Sequence, residues 1–242
     1  DIDYLNQKRI PLAVTGKSNA VSVAEHVITL FLSISRRIID SHNLVKEGDF
    51  SKKNLIKKTV EIFNKKILII GYGRIGKEVA KRLSSFDCKI LIYDPYVENK
   101  ITDISPHIFV DLQTGLKEAD FITIHIPLSV DTTNLISKSE FSLMKNDAIL
   151  INTSRGGIVN EEDLKMALDE EKILGAGLDV FSKEPPDIND TILSAKNIIF
   201  TPHNSALTIE CRSRMSIETA ENILNHLQNK TNVDNIVNKH VL

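Results

Sequence analysis

Gly71, Gly73 and Gly76 stand at GxGxxG spacing directly after the apolar run Ile67 to Ile70, and Asp94 ends a second apolar run, Lys89 to Tyr93. These residue types in this order suit a dinucleotide. Gly71 makes the tight turn, Gly73 lets the backbone approach a pyrophosphate, and Gly76 lets the following helix pack close to the strand. A helix opening at Arg74 and Ile75 would point free N–H groups and a positive dipole end at the phosphates. Asp94 would accept hydrogen bonds from the adenosine ribose hydroxyls. A 2′-phosphate would meet like charge there, so the spacing favours NAD over NADP.

Chemistry at such a loop needs elements to hold it, and the chain supplies them in alternation. Short apolar strands are expected at Phe121 to Ile126, Ala148 to Asn152, Ala176 to Val180 and Ile198 to Thr201. Helices are expected at Leu116 to Ala119, ending at Phe141 to Lys145, at Glu161 to Glu171 and at Ala206 to Leu227. Short connections between strands and helices imply a doubly wound α/β fold, a parallel sheet covered on both faces. In such sheets ligands bind beyond the carboxyl ends of the strands. Those positions carry His125 and Pro127, then Thr153, Ser154 and Arg155, then Asp179 and Glu184, then Pro202 and His203. Ahead of the glycine loop, Pro11 to Thr15 reads as a short strand. Asn19 is the expected N-cap of one long helix with Ala24, Val27, Ile28, Phe31, Ile34 and Ile38 on its apolar stripe, closed by Gly48. The segment Ile104 to Leu112 is left unassigned.

The 242 residues are enough to bury a full core. A net charge of −2 with dispersed basic residues gives no footprint for nucleic acid, and clusters such as Lys52, Lys53, Lys57 and Lys58 read as a solvated face. No apolar run reaches membrane-spanning length. Cys88 and Cys211 lie far apart without metal-ligand spacing and read as buried small residues, so no metal is expected and a reducing compartment, the cytoplasm by default, is. The chain starts at Asp1 without an initiator methionine, which suggests processing or a fragment of something longer.

With these positions in view, the chain resembles the D-isomer-specific 2-hydroxyacid dehydrogenases. SNAVSVAEH is similar to the family's NxxxVAEH helix start, GYGRIG to its nucleotide loop, and HIPLSVDTTNLI to its HxPLxxxTxxLI segment. NTSRGGIVNEEDL, GLDVFSKEP and TPHNSA resemble the three blocks that carry the family's Arg, Glu and His. The resemblance implies a Rossmann-type NAD-binding domain with remnants of a second, substrate-binding domain. Residues 1–18 would end that truncated domain, 19–206 would form the NAD-binding domain with an interdomain or dimer helix, and 207–242 would return toward the substrate side. It implies hydride transfer between NAD(H) and a small 2-hydroxy or 2-oxo acid. Arg155 would hold the carboxylate, His203 would be the acid and base, and Glu184 would orient its ring. Asp179 would lie near the nicotinamide carboxamide, and Thr15, Ile126, Thr153 and Ser154 would line the cofactor, with His125 in a supporting, structural place.

Two departures stand out. Asn160 replaces the family's usual Asp on a loop, and most of the segment that normally precedes Asp1 to Leu5 is absent from this sequence. That segment normally supplies N–H groups to the substrate and excludes water, so turnover by this chain alone is in question. The helix from Asn19 and the arm after Gly48 correspond to the family's subunit contact and imply a homodimer. An NAD-sensing, co-repressor-like binding module is the competing expectation, weakened by the intact Arg155, Glu184 and His203.

Overall fold

A computed structural model of the chain describes residues 1–55, 58–96 and 107–242; Lys57 and the start of the unassigned segment, 104–106, lie outside them. The strands are β1 (Lys66–Ile70), β2 (Lys89–Tyr93), β3 (Ile108–Phe109), β4 (Phe121–Ile124), β5 (Ile149–Asn152), β6 (Gly175–Leu178) and β7 (Ile198–Phe200). Among the described residues they form one sheet in the order β3-β2-β1-β4-β5-β6-β7, with every pairing parallel. The helices are α1 (Ile2–Gln7), α2 (Ala20–Ser35), α3 (Ile38–Lys46), α4 (Arg74–Leu83), α5 (Leu112–Glu118), α6 (Lys138–Phe141), α7 (Glu161–Asp169) and α8 (Ile209–Leu227). The strand order reverses between β1 and β4, which is the switch point where doubly wound sheets hold ligands.

The chain divides into two compact units, Ala24–Ser205 and Asp1–Val23 with Ala206–Leu242. In the first, alternate residues of each central strand feed two cores, as side chains alternate across a sheet. Ile67, Ile69, Ile90, Ile92, Phe121 and Ile151 pack with Phe31 of α2 and with Val79 and Leu83 of α4. Leu68, Ile70, Leu91, Ile122, Ile124 and Leu150 pack on the other side with Leu116 of α5, Phe141 of α6 and Leu164 of α7. The ring edge of Phe31 meets Phe121 with centroids 5.1 Å apart, seating α2 on the sheet.

In the other unit, Asp1 caps α1 by accepting from the Tyr4 N–H. Two polar residues of the closing segment are buried. Asn235 and Asn238 are each 3 % exposed, and Asn238 donates to the Asn6 side chain and the Ile10 carbonyl while accepting from the Leu12 N–H.

Several expectations are corrected. The long helix from Asn19 is two helices, because Arg37 adopts a left-handed conformation (φ +52°) and its guanidinium donates to Asn197 at 2.5 Å. The apolar stripe spans both pieces, so periodicity alone could not show the break. The strand at Pro11 to Thr15 shrinks to a single antiparallel bridge between Ala13 and Ile236. The helix expected to end at Phe141 to Lys145 is α6, opened by a capping box between Ser137 and Glu140. The final helix starts at Ile209 rather than Ala206, where the Thr208 side chain accepts from the Cys211 N–H. Cys211 is buried but Cys88 is only half-buried. No helix among the described residues is long and apolar enough to cross a membrane.

Candidate active site

The glycine loop is shaped by contacts that exclude side chains. Gly71 has φ +96°, and a Cβ there would sit 2.8 Å from the His125 carbonyl oxygen. At Gly76 a Cβ would lie 2.2 Å from the Gly71 carbonyl oxygen, so this glycine lets α4 close on the turn itself. A Cβ at Gly73, the N-cap of α4, would meet nothing within 4 Å. That open side is where a phosphate can approach the N–H groups of the helix start. Arg74 and Ile75 form the first turn of α4, with Ile75 partly buried against the core.

Asp94 follows β2 and ties the loop down. Its Oδ2 accepts from the Tyr72 N–H at 2.8 Å and its Oδ1 from the Tyr96 N–H at 3.0 Å. Gly71, Gly73, Asp94, Ile126, Pro127 and Leu135 share a cleft of about 560 Å³, within the range of small-molecule sites. At the end of β5, Thr153 and Ser154 are 6 % and 9 % exposed, and the Thr153 hydroxyl is buried without a hydrogen-bond partner. An open glycine, a pinned acid and an orphaned hydroxyl all fit a dinucleotide laid along the strand ends. Thr15 belongs to the other compact unit.

Arg155, Glu184 and His203 follow β5, β6 and β7, three neighbouring parallel strands. Asn152, 1 % exposed, builds the first of these turns by accepting from the Ser154 N–H and hydroxyl and donating to the Arg155 carbonyl. Arg155 is exposed, and its Nη1 donates to the Ser154 carbonyl at 2.6 Å. A Cβ at Gly156 would fall 1.8 Å from the Phe181 carbonyl oxygen, so the Arg155 turn rests on the backbone of the segment that carries Glu184. Glu184 accepts from the Phe181 N–H through Oε1 at 3.0 Å and faces His203 Nδ1 through Oε2 at 2.7 Å. Burial works to raise the Glu184 carboxyl, but the bonds from His203 and Phe181 outweigh it and hold the group below the usual carboxylate range.

His203 has φ +51°, unusual for a residue with a side chain. Asp179 lies just past β6 rather than inside a strand, fully buried, and accepts from the Asn204 N–H (3.0 Å), the Ser205 N–H (3.1 Å) and the Thr201 hydroxyl (2.6 Å). It therefore grips the His203 turn from both sides. His125 Nε2 lies 2.9 Å from the Thr123 hydroxyl, its Nδ1 is closed off without a partner, and burial pushes its pKa down to about 3. The sequence reading had no role for Asn152, Gly156, Thr201 or His26, although all four lie in the segments it singled out. No group of three or more His, Cys, Asp or Glu among the described residues is placed to hold a metal.

Residues 28–205 match the model of the D-isomer specific 2-hydroxyacid dehydrogenase NAD binding domain. The chain belongs to this family. Membership accounts for the parallel sheet and the glycine loop together. The chain is 40 % identical over 229 residues to hydroxypyruvate reductase of Thermotoga maritima, covering 94 % of this chain and 73 % of that one. It is 37 % identical over 225 residues to D-3-phosphoglycerate dehydrogenase of Archaeoglobus fulgidus, covering 93 % and 42 %. Among solved structures, D-lactate dehydrogenase of Aquifex aeolicus, complexed with NAD and lactic acid, superposes with a TM-score of 0.84 at 29 % identity over 98 % of this chain and 74 % of that one. The chain thus spans about three quarters of the reductase and under half of the phosphoglycerate dehydrogenase. As a family member its cofactor is NAD.

Proposed function

We propose that this 2-hydroxyacid dehydrogenase chain carries the cofactor site and the acid–base machinery for interconverting a D-2-hydroxy acid and its 2-oxo acid. The observation that carries this reading is the His203–Glu184 pair at 2.7 Å, packed through Phe181 and Gly156 against the turn that presents Arg155. NAD supplies the hydride acceptor for oxidation and, when reduced, the donor for reduction. Arg155 offers a planar fork that orients the substrate carboxylate, and a lysine could not do this with two parallel bonds. His203 directs Nδ1 at Glu184, which leaves Nε2 for the substrate oxygen. Nε2 gives its proton to the carbonyl oxygen during reduction and takes it from the hydroxyl during oxidation. Glu184 stabilises the imidazolium form and fixes which nitrogen faces the substrate. Thr153, Ser154 and Ile126 line the cofactor in this reading, with Asp179 beside the nicotinamide carboxamide.

The names of the relatives direct the choice of substrates to hydroxypyruvate, glyoxylate, pyruvate and phosphohydroxypyruvate. Consumption of NADH by the full chain with this panel, with His203→Ala as control, tests the proposal. The reading also includes a homodimer and a cytoplasmic location. Ile38, Ile39, Val45 and Phe50 on and after α3 are 54 %, 48 %, 57 % and 66 % exposed, apolar side chains that a second copy would cover in this reading. Light scattering at micromolar concentration should give twice the chain mass, and a single-chain mass would remove the dimer.

A further inference from the structure

Thr201 ends β7 two residues before His203, and its hydroxyl lies between two partners. It is 2.6 Å from Asp179 Oδ1 on one side and 3.0 Å from His26 Nε2 on the other. A threonine hydroxyl has one hydrogen to give. Both oxygens of Asp179 already face N–H donors, Asn204 on Oδ1 and Ser205 on Oδ2, so the carboxylate acts here as an acceptor throughout. The Thr201 hydrogen must then point to Asp179, since two bare oxygens 2.6 Å apart would repel. His26 Nε2 consequently has to carry the hydrogen of the remaining contact. The bonds run in one direction, from His26 Nε2–H to Thr201 Oγ1–H to Asp179 Oδ1, and Asp179 in turn receives the amides that follow His203.

His26 is well placed to anchor such a chain. It sits on α2, whose Ala24, Val27, Leu30 and Phe31 are 0–2 % exposed in the core beneath the sheet. Its own burial lowers its pKa, with Asp179 at 3.9 Å opposing, so the neutral ring with a defined tautomer is the form favoured. Across this chain of bonds a rigid helix holds a turn whose central residue, His203, has the unfavourable φ of +51°.

We infer that His26 and Thr201 are positioning residues for His203, acting through Asp179, in addition to the direct tie from Glu184. The inference rests on the reading of His203 as the acid and base, and its geometric part can be tested separately.

The experiment uses the full chain and four variants, His26→Ala, His26→Gln, Thr201→Val and Thr201→Ser. Long-range nitrogen-15 spectra, with the His26 signals assigned by their loss in His26→Gln, should show neutral His26 protonated on Nε2; a proton on Nδ1 instead would overturn the inference. Amide exchange at Asn204 and Ser205 should quicken roughly three- to tenfold in His26→Ala and Thr201→Val, the range expected for losing one hydrogen bond, and Thr201→Ser should restore it. With a reactive 2-oxo acid, kcat should fall by a similar factor in His26→Ala while NADH affinity holds. Unchanged exchange in both His26→Ala and Thr201→Val would refute the relay. If the unmodified chain consumes no 2-oxo acid, the functional reading fails, and the tautomer and exchange results still decide the relay.

Discussion

Gly156→Ala is the substitution whose consequence the structure fixes most tightly. The added carbon would lie 1.8 Å from the Phe181 carbonyl oxygen, 2.0 Å from its carbon and 2.5 Å from the Ser182 nitrogen. All three are backbone atoms and cannot rotate away. Ordinary contact begins at 3.4 Å, so the Arg155 turn and the Phe181–Glu184 segment must separate by about 1.6 Å. Overpacking of this kind costs about 1–3 kcal/mol of stability. The effect on catalysis is larger, because the same separation moves Arg155 relative to the Glu184–His203 pair, and a misplacement of about 1 Å costs about a hundredfold in rate. The glycine loop and Asp94 follow other strands and keep their geometry. The assay pairs steady-state turnover with NADH fluorescence titration and thermal unfolding. Expected are a folded variant of reduced Tm, NADH affinity close to that of the unmodified chain, and kcat down about a hundredfold. Near-normal kcat, or a defect confined to NADH binding, would refute the argument that this contact sets the catalytic geometry.

Two further outcomes follow from other sites. Asp94→Ala removes the acceptor of the Tyr72 and Tyr96 N–H groups as well as the proposed ribose partner, so NADH affinity should fall about tenfold or more and the preference over NADPH should relax; equal affinities for the two before mutation would count against Asp94 as the discriminating residue. His125 has its folded pKa lowered to about 3 from an unfolded value near 6.5, so the unfolded chain binds the extra proton between those values. Its contribution is complete above about pH 6.5 and is lost as pH falls toward 3. Urea unfolding across that window should show stability dropping by a few kcal/mol on acidification, and His125→Gln should flatten the drop; identical slopes in both proteins would contradict the assignment.

The sheet was legible because its central strands are apolar on both faces, and runs such as Ile67 to Ile70 and Lys89 to Tyr93 stand out against charged flanks. The cofactor loop was legible because glycine is demanded there by clashes at 2.2 and 2.8 Å, which only a missing side chain avoids. The Glu184–His203 pair was expected from resemblance, and the structure brings the two within 2.7 Å. Less legible were features built from hydrogen bonds between distant residues. Asp179 gripping Thr201, Asn204 and Ser205, and His26 reaching Thr201 across 175 positions, leave no periodic trace in a sequence. The break at Arg37 was hidden for a related reason, since its partner Asn197 lies 160 positions away. The buried Asn235 and Asn238 show the same limit, since polar residues read as solvated until their partners are known.

The most direct test of the account is NADH oxidation by the purified full chain against hydroxypyruvate, glyoxylate, pyruvate and phosphohydroxypyruvate, repeated with His203→Ala. The account predicts turnover of at least one of these acids, reduced at least a hundredfold in the variant while NADH still binds with unchanged affinity. Turnover that survives the loss of His203, or NADH bound with none of the acids consumed, would contradict it.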